Sequence, residues 1–165
     1  VGEVVVSDGG SRDDTVAVAR RHGATVVEGP PGRGPQLDRG ARATQGEVLW
    51  FLHADTWPPP DAVARIREAL ADPAVMGGAF VRHTVSDRRH GGLGVLLRVF
   101  DLSSAVGRSA YGDQGIFVRR TAWEAVGGFG DAPILEDHAF TRRLARRGRW
   151  VRVWRPIRVS GRRFE

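Results

Sequence analysis

Three side chains that follow apolar runs carry the first readable chemistry. Asp8 follows the run Glu3 to Ser7 and enters a Gly9-Gly10-Ser11 turn, and Asp55 follows the run Glu47 to Leu52 through His53-Ala54. A carboxylate at such a strand end can accept hydrogen bonds from a ribose or base, and a second can coordinate a cation that bridges phosphate oxygens. Mg²⁺ keeps several waters and needs only one or two carboxylates, so Asp55 suffices, with His53 as an additional imidazole ligand. The chain has no cysteine, so a metal must be held by oxygen or imidazole, which selects hard cations such as Mg²⁺ or Mn²⁺. Each residue also has a plainer reading: His53 as a hydrogen-bonded residue orienting its turn, Asp55 as a helix or turn cap.

The elements that must position these groups can be read from the pattern. Glu3 to Ser7 and Thr25 to Glu28 are β-branched, apolar strands, separated by an amphipathic helix that Asp13-Asp14-Thr15 start and Gly23 ends. The glycines and prolines of 29–34 make a loop, and Pro35 opens a helix to about Thr44. Glu47 to Leu52 is a strand, Asp61 to Ala71 a helix, Val75 to His83 a strand, Leu93 to Val106 a mostly apolar helix and Gly115 to Val118 a strand. Helices over Thr121 to Val126 and Glu136 to Arg147 precede strands at Trp150 to Trp154 and Ile157 to Ser160. Continuous apolar strands alternating with helices predict an α/β fold with a mostly parallel sheet covered on both faces, whose ligands gather beyond the carboxyl ends of the strands. Asp8 and Asp55 are expected at one edge of that sheet.

At 165 residues and 41% hydrophobic, the sequence supports one domain with a sizeable core. No apolar run approaches the roughly 18 residues of a membrane span. The formal charge is +6 and every one of the 25 Lys or Arg residues is arginine. That excess suits an anionic ligand or surface, yet the arginines are dispersed rather than striped and no nucleic-acid motif accompanies them, so nucleic acid is not expected as a partner.

Two segments carry a family resemblance. Ser7-Asp8-Gly9-Gly10-Ser11-Arg12-Asp13-Asp14-Thr15 resembles the Asp-rich Gly-Ser turn after the second strand of family 2 glycosyltransferases of the GT-A fold, a Rossmann-like mixed sheet with helices on both faces. Gly46 to Thr56 resembles their metal-binding strand. His53 occupies the first place of the usual Asp-x-Asp, as in the small bacterial subgroup called selenodomain-associated transferases. The resemblance implies a nucleotide-binding part over 1–60 and an acceptor and catalytic part over 75–165. Asp8, Gly9 and Ser11 would contact the nucleotide of a nucleoside-diphosphate sugar, UDP-linked in preference to GDP-linked, and Arg33 would help neutralise its diphosphate. Asp38 stands where the family commonly has Asn.

Ala110-Tyr111-Gly112-Asp113-Gln114-Gly115 resembles the acceptor-side segment, which implies Asp113 and Gln114 as acceptor or sugar contacts, with a turn-forming role as the plainer reading. Gly128 and Phe129 resemble part of the family's glycine-rich loop approaching the acceptor, or form only a turn. Ile134-Leu135-Glu136-Asp137-His138 resembles the Glu-Asp motif that holds the catalytic base at a helix start. The implied reaction is direct, inverting transfer of a sugar to an acceptor hydroxyl, with Asp137 as base, Glu136 beside it and metal at Asp55.

The family begins with a strand ending in a Pro-Thr-x-Asn-Glu-like turn, and this sequence begins at what corresponds to the second strand. A fragment at both ends is therefore expected, with pairing to another chain, including a second copy, as one way to satisfy the exposed backbone. Two rivals remain: a nucleotidyltransferase, whose phosphate loop Gly9-Gly10-Ser11-Arg12 imitates poorly, and a non-catalytic binding module. Relatives often modify lipidic acceptors, and Leu93 to Leu102 with Arg88, Arg89 and Arg98 nearby suits a bilayer surface, although a core helix is the commoner role of such a stretch. The expected location is cytoplasmic, with peripheral contact at the inner membrane face.

Overall fold

The computed structural model describes residues 2–85, 101 and 109–161. Seven strands and five α-helices have both ends among the described residues and follow in the order β1 (Val5–Asp8), α1 (Thr15–Arg21), β2 (Thr25–Glu28), α2 (Arg33–Arg42), β3 (Val48–Trp50), β4 (Thr56–Trp57), α3 (Ala62–Ala69), β5 (Val75–Val85), β6 (Phe117–Arg119), α4 (Arg120–Ala125), α5 (Glu136–Arg147) and β7 (Arg149–Ser160), with a 3₁₀ turn at Gly112–Gln114 before β6. The expected helix Leu93 to Val106, and with it the bilayer-surface segment, lies outside the described residues apart from Asp101.

The fold is mixed α/β, as expected. The parallel pairings β1–β2 and β5–β7 run for four and ten residue partners, whereas the antiparallel pairings β3–β6, β5–β6 and β4–β7 are two or three long. The strands form two sheets, β1–β2 and β3–β6–β5–β7–β4, so Asp8 and Asp55 do not end neighbouring strands of one sheet. The expectation of a shared edge is corrected in that respect. Trp150 to Trp154 and Ile157 to Ser160 are one strand, β7, interrupted by a register shift where Val153 and Pro156 face successive residues Phe80 and Val81. Pro156 lacks an amide to give a ladder, and the shift accommodates it.

Alternation along the strands explains the two-sided core. Ala79, Ile116 and Val118 join Leu49, Phe51, Trp123, Phe129, Phe140 and Leu144 on the face covered by α2, α4 and α5. Phe80 and Phe117, one residue out of phase, join Ala62, Ile66, Val75 and Ile157 on the face covered by α3. Phe129 stacks on Phe140 at 4.1 Å between centroids, and Phe51 meets Phe129 edge-on at 4.8 Å. Arg119 and Arg120 lock the β6–α4 junction: Arg119 donates to the Val75 and Leu70 carbonyls, Arg120 to Gly46 O and the Thr44 hydroxyl.

Candidate active site

The turn after β1 is built by its own carboxylate. Asp8 Oδ2 accepts from the Gly10 and Ser11 amides at 2.8 and 2.9 Å, and Oδ1 from the Ser11 hydroxyl at 2.5 Å. The Ser11 hydroxyl first, then the two amides, hold the Asp8 carboxyl below the ordinary aspartate value against a smaller effect of desolvation. Gln36 of α2 donates to Ser7 O and accepts from Gly32 N, and it packs so closely that a Cβ on Gly9 would stand 2.7 Å from its Oε1. Arg39 donates to Asp8 O at 2.8 Å. Asp8, Gly9 and Ser11 are therefore tied to α2 and its preceding loop.

A cavity of about 240 Å³ lies beyond the end of β5, where Arg82, Thr84, Val159 and Ser160 supply part of its lining. Arg33, His53, Asp55, Tyr111, Gly112, Asp113, Leu135 and Asp137 complete it, so five of the sequence-derived site residues, Arg33, His53, Asp55, Asp113 and Asp137, meet there. Asp8, Gly9, Ser11, Gln114, Gly128, Phe129 and Glu136 are not among its lining residues.

Asp137 stands in the first turn of α5, where backbone amides favour a carboxylate. Its Oδ1 accepts from His138 N and its Oδ2 from Gly112 N, both at 2.6 Å, which fixes its direction. Glu136 beside it is only 1% exposed and forms an ion pair with Arg33, Nε to Oε1, at 3.0 Å. A second Arg33 nitrogen lies 3.9 Å from Asp137 Oδ2. The residue before them, Leu135, has φ 57°, the one positive value outside glycine among the described residues. Backbone strain of this kind recurs where a structure over-determines a functional turn.

Asp55 joins a tight turn in which Thr56 N donates to His53 O, and Ser160 N donates to Asp55 O. Among the described residues the Asp55 carboxylate has no hydrogen bond or ion pair. Burial, reinforced by the Arg33 charge, pushes the His53 pKa down despite the opposing pull of Asp113, Asp55 and Asp137, so the imidazole is neutral at pH 7 and keeps a lone pair for a ligand. No group of three His, Asp or Glu side chains among the described residues stands close enough to cage an ion alone. His53 and Asp55 fit a cation that takes its other ligands from water and phosphate.

The reading of the sequence missed the support beneath Asp113. Arg82 on β5 donates to Asp113 Oδ2 at 2.9 Å and to Asp101 Oδ1 at 2.6 Å, and Asp101 accepts from the amide and hydroxyl of Thr84. Burial opposes the charge on Arg82, but the two carboxylates outweigh it and raise its pKa. A charged residue inside an apolar strand was the available signal. Gln114 is fully buried, its Oε1 accepting from Tyr111 N, and it holds the 3₁₀ turn rather than lining the cavity. Phe129 is in the core, and Gly128 lies against the buried Asp38, which accepts from Trp123 Nε1 and from the amides of Phe129 and Gly130. Asp38 thus shapes the 128–130 loop from beneath.

Similar architectures are known in solved structures. A mannosyltransferase from Pyrobaculum calidifontis in complex with GDP-Man and Mn²⁺ superimposes with a TM-score of 0.76 at 24% identity, covering 94% of this chain and 47% of that one. Glucosyl-3-phosphoglycerate synthase from Mycobacterium tuberculosis in complex with Mn²⁺, UDP-Glc and phosphoglyceric acid gives a TM-score of 0.53 at 26% identity, covering 74% of this chain and 47% of its own. An uncharacterized glycosyltransferase found in two strains of Mycobacterium tuberculosis is 32% identical over 153 residues, covering 87% of this chain and 57% of the relative. The chain therefore spans about half the length of the relatives it matches. Residues 2–122 match the pattern of glycosyl transferase family 2. With a family match over most of its length and a GT-A architecture around the cavity, the chain belongs to glycosyl transferase family 2.

Proposed function

We propose that this domain moves a sugar from a nucleoside-diphosphate sugar to an acceptor hydroxyl with inversion, using Asp137 as the general base and Asp55 with His53 to hold a divalent Mg²⁺ or Mn²⁺. The reading rests on one convergence: a cation-competent pair, an arginine and a helix-start aspartate share a single cavity. Neighbours solved with UDP-Glc, GDP-Man and Mn²⁺ support the donor class and the metal.

Charge makes the same case. Asp55, Asp113 and Asp137 face only Arg33 and Arg82 in the lining, so the cavity is already negative in excess before a diphosphate enters. Two like charges in a low-dielectric site repel strongly unless a cation stands between them. A bound divalent cation would supply that neutralisation and offset charge on the departing diphosphate.

The protein's own groups divide the remaining work. Arg33 offers a forked donor to the diphosphate, and its pairing with buried Glu136 sets where that fork lies. Glu136 thereby acts as a positioning residue, whereas Asp137 lines the cavity and takes the acceptor proton. As the acceptor oxygen forms its bond to the anomeric carbon, the bond from that carbon to the diphosphate oxygen breaks on the opposite side. One attacking oxygen and one base give inversion without a second carboxylate nucleophile. Asp113, held by Arg82, is the sugar or acceptor contact. Residues 1–60 contribute the donor side and 75–165 the acceptor side.

The test uses the full-length protein with UDP-Glc and GDP-Man in Mn²⁺. Asp137→Asn should lower turnover about 10²- to 10⁴-fold with little change in donor affinity, the range for a general base. Asp55→Asn should weaken nucleotide binding only when metal is present. Full turnover in the Asp137→Asn protein would refute the reading, and the non-catalytic alternative would gain if Asp55→Asn left its function intact.

A further inference from the structure

A second cavity, of about 340 Å³, opens on the outer side of α5 and is lined by Ser109, His138, Arg142, Ala145 and Arg146. Positions 138, 142 and 146 are four residues apart and stand in one row along the helix. No Asp or Glu lines this cavity among the described residues, and neither Arg142 nor Arg146 has a hydrogen bond or ion pair among them.

Another cation stands behind the wall. Arg152 of β7 donates through Nη2 to Ser109 O at 2.8 Å and through Nη1 to Phe80 O at 3.4 Å. Burial lowers its pKa, and among the described residues no carboxylate opposes that effect. A half-buried guanidinium served only by carbonyls retains an uncompensated charge, which an anion in the adjoining cavity would offset.

The two cavities share a partition. Tyr111 lines the first and His138 the second, and their rings face each other at 6.0 Å with 30° between planes. Helix rise puts Arg142 and Arg146 about 7 and 13 Å along α5 from Asp137. A molecule with a hydroxyl at Asp137 and an anionic group some 10 Å away would span both spaces.

We propose that this second cavity is an anion subsite that receives a phosphate monoester carried by the acceptor. Two guanidinium forks and an imidazole N–H match phosphate oxygens in number and geometry, and the volume falls within the range of small-ligand pockets. The acceptor role rests on the glycosyl-transfer reading above, whereas the anion site stands on its own side chains.

Isothermal titration of the full-length protein with inorganic phosphate tests the site. Arg142→Gln/Arg146→Gln should lower phosphate affinity tenfold or more, while Arg147→Gln, on the same helix but outside the lining, should leave it unchanged. Affinity for UDP with Mn²⁺ should stay within twofold in both, and an unchanged melting temperature shows that the fold is intact. Vesicles of phosphatidylcholine with and without phosphatidic acid separate the sources: binding that requires phosphatidic acid and vanishes in the double variant identifies a lipid-borne phosphate, and its absence identifies a small soluble ester. Wild-type phosphate affinity in the double variant overturns the site, as does an equal loss of phosphate and UDP binding. Loss of phosphate binding in a protein that binds neither UDP nor GDP would remove the acceptor role and the glycosyl-transfer reading while leaving the anion site in place.

Discussion

The Gly112 amide donates to Asp137 Oδ2 at 2.6 Å and leaves no space for a side chain, because a Cβ there would stand 2.5 Å from His53 Nε2 and 3.3 Å from that same oxygen. The backbone of the 3₁₀ turn is thus wedged between the proposed base and the proposed metal ligand.

Gly112→Ala should move one of these groups by several tenths of an ångström. Misplacement near 1 Å costs about 10²-fold in rate, so turnover is expected to fall by one to two orders of magnitude while the folded state persists. Single-turnover kinetics beside a thermal melt measures both, and wild-type turnover would show that the wedge does not set the geometry.

Arg33 and Glu136 should be energetically coupled. Removing the cation leaves a buried carboxylate whose oxygens have no hydrogen bond among the described residues. Arg33→Met is expected to cost about 1–3 kcal/mol, and Glu136→Gln should recover most of that loss in the double variant. Urea unfolding at pH 7 of the four proteins gives the coupling, and additive effects would sink it.

Asp38→Ala orphans Trp123 Nε1 and the Phe129 and Gly130 amides together. A destabilisation of about 3 kcal/mol or more is expected from unpaired buried donors. The urea midpoint reads it, and a change under 1 kcal/mol would mean that the 128–130 loop finds other partners.

Leu135→Gly removes the side chain from a left-handed backbone position where it is 55% exposed. The αL penalty of about 1–2 kcal/mol is relieved, whereas the greater chain entropy that glycine loses on folding costs about 0.5–1 kcal/mol. Stability should be unchanged or slightly higher, and a loss above about 1 kcal/mol would reveal packing by the leucine that exceeds these backbone effects.

Asp8 has a depressed pKa in the folded state, so its contribution is present above the ordinary aspartate value of 3.8 and is lost as pH falls through the lower folded value. The stability gap between wild type and Asp8→Ala should therefore be constant near neutrality and narrow below about pH 3.8. Denaturant midpoints from pH 6 to pH 2.5 follow it, and a gap that widens on acidification would contradict the assignment.

Local chemistry made much of this molecule readable. Gly23 and the β-branched runs mark element ends whatever the tertiary context, whereas α2 begins at Arg33, two residues before the expected Pro35, because Gly32 O already accepts from Gln36 N. The helix start at Glu136 held because α5 presents Phe140 and Leu144 inward at helical spacing. His53, Asp55 and Asp137, from three separate segments, line one cavity. The division into two sheets was not readable, since strand order depends on pairing between distant segments rather than on the period of each. The roles of Arg82 and Asp38 were missed for a related reason: polar side chains that serve buried carboxylates or buried backbone look like surface residues until their partners are known.

The long β5–β7 ladder ends at the cavity, where Arg82 and Thr84 lie opposite Ile157 and Val159. Its walls, by contrast, come from a helix start, a 3₁₀ turn and the loop before α5. New ligand preferences can thus arise by remodelling these short rims upon an unaltered floor, a separation of tasks that lets one scaffold serve many chemistries.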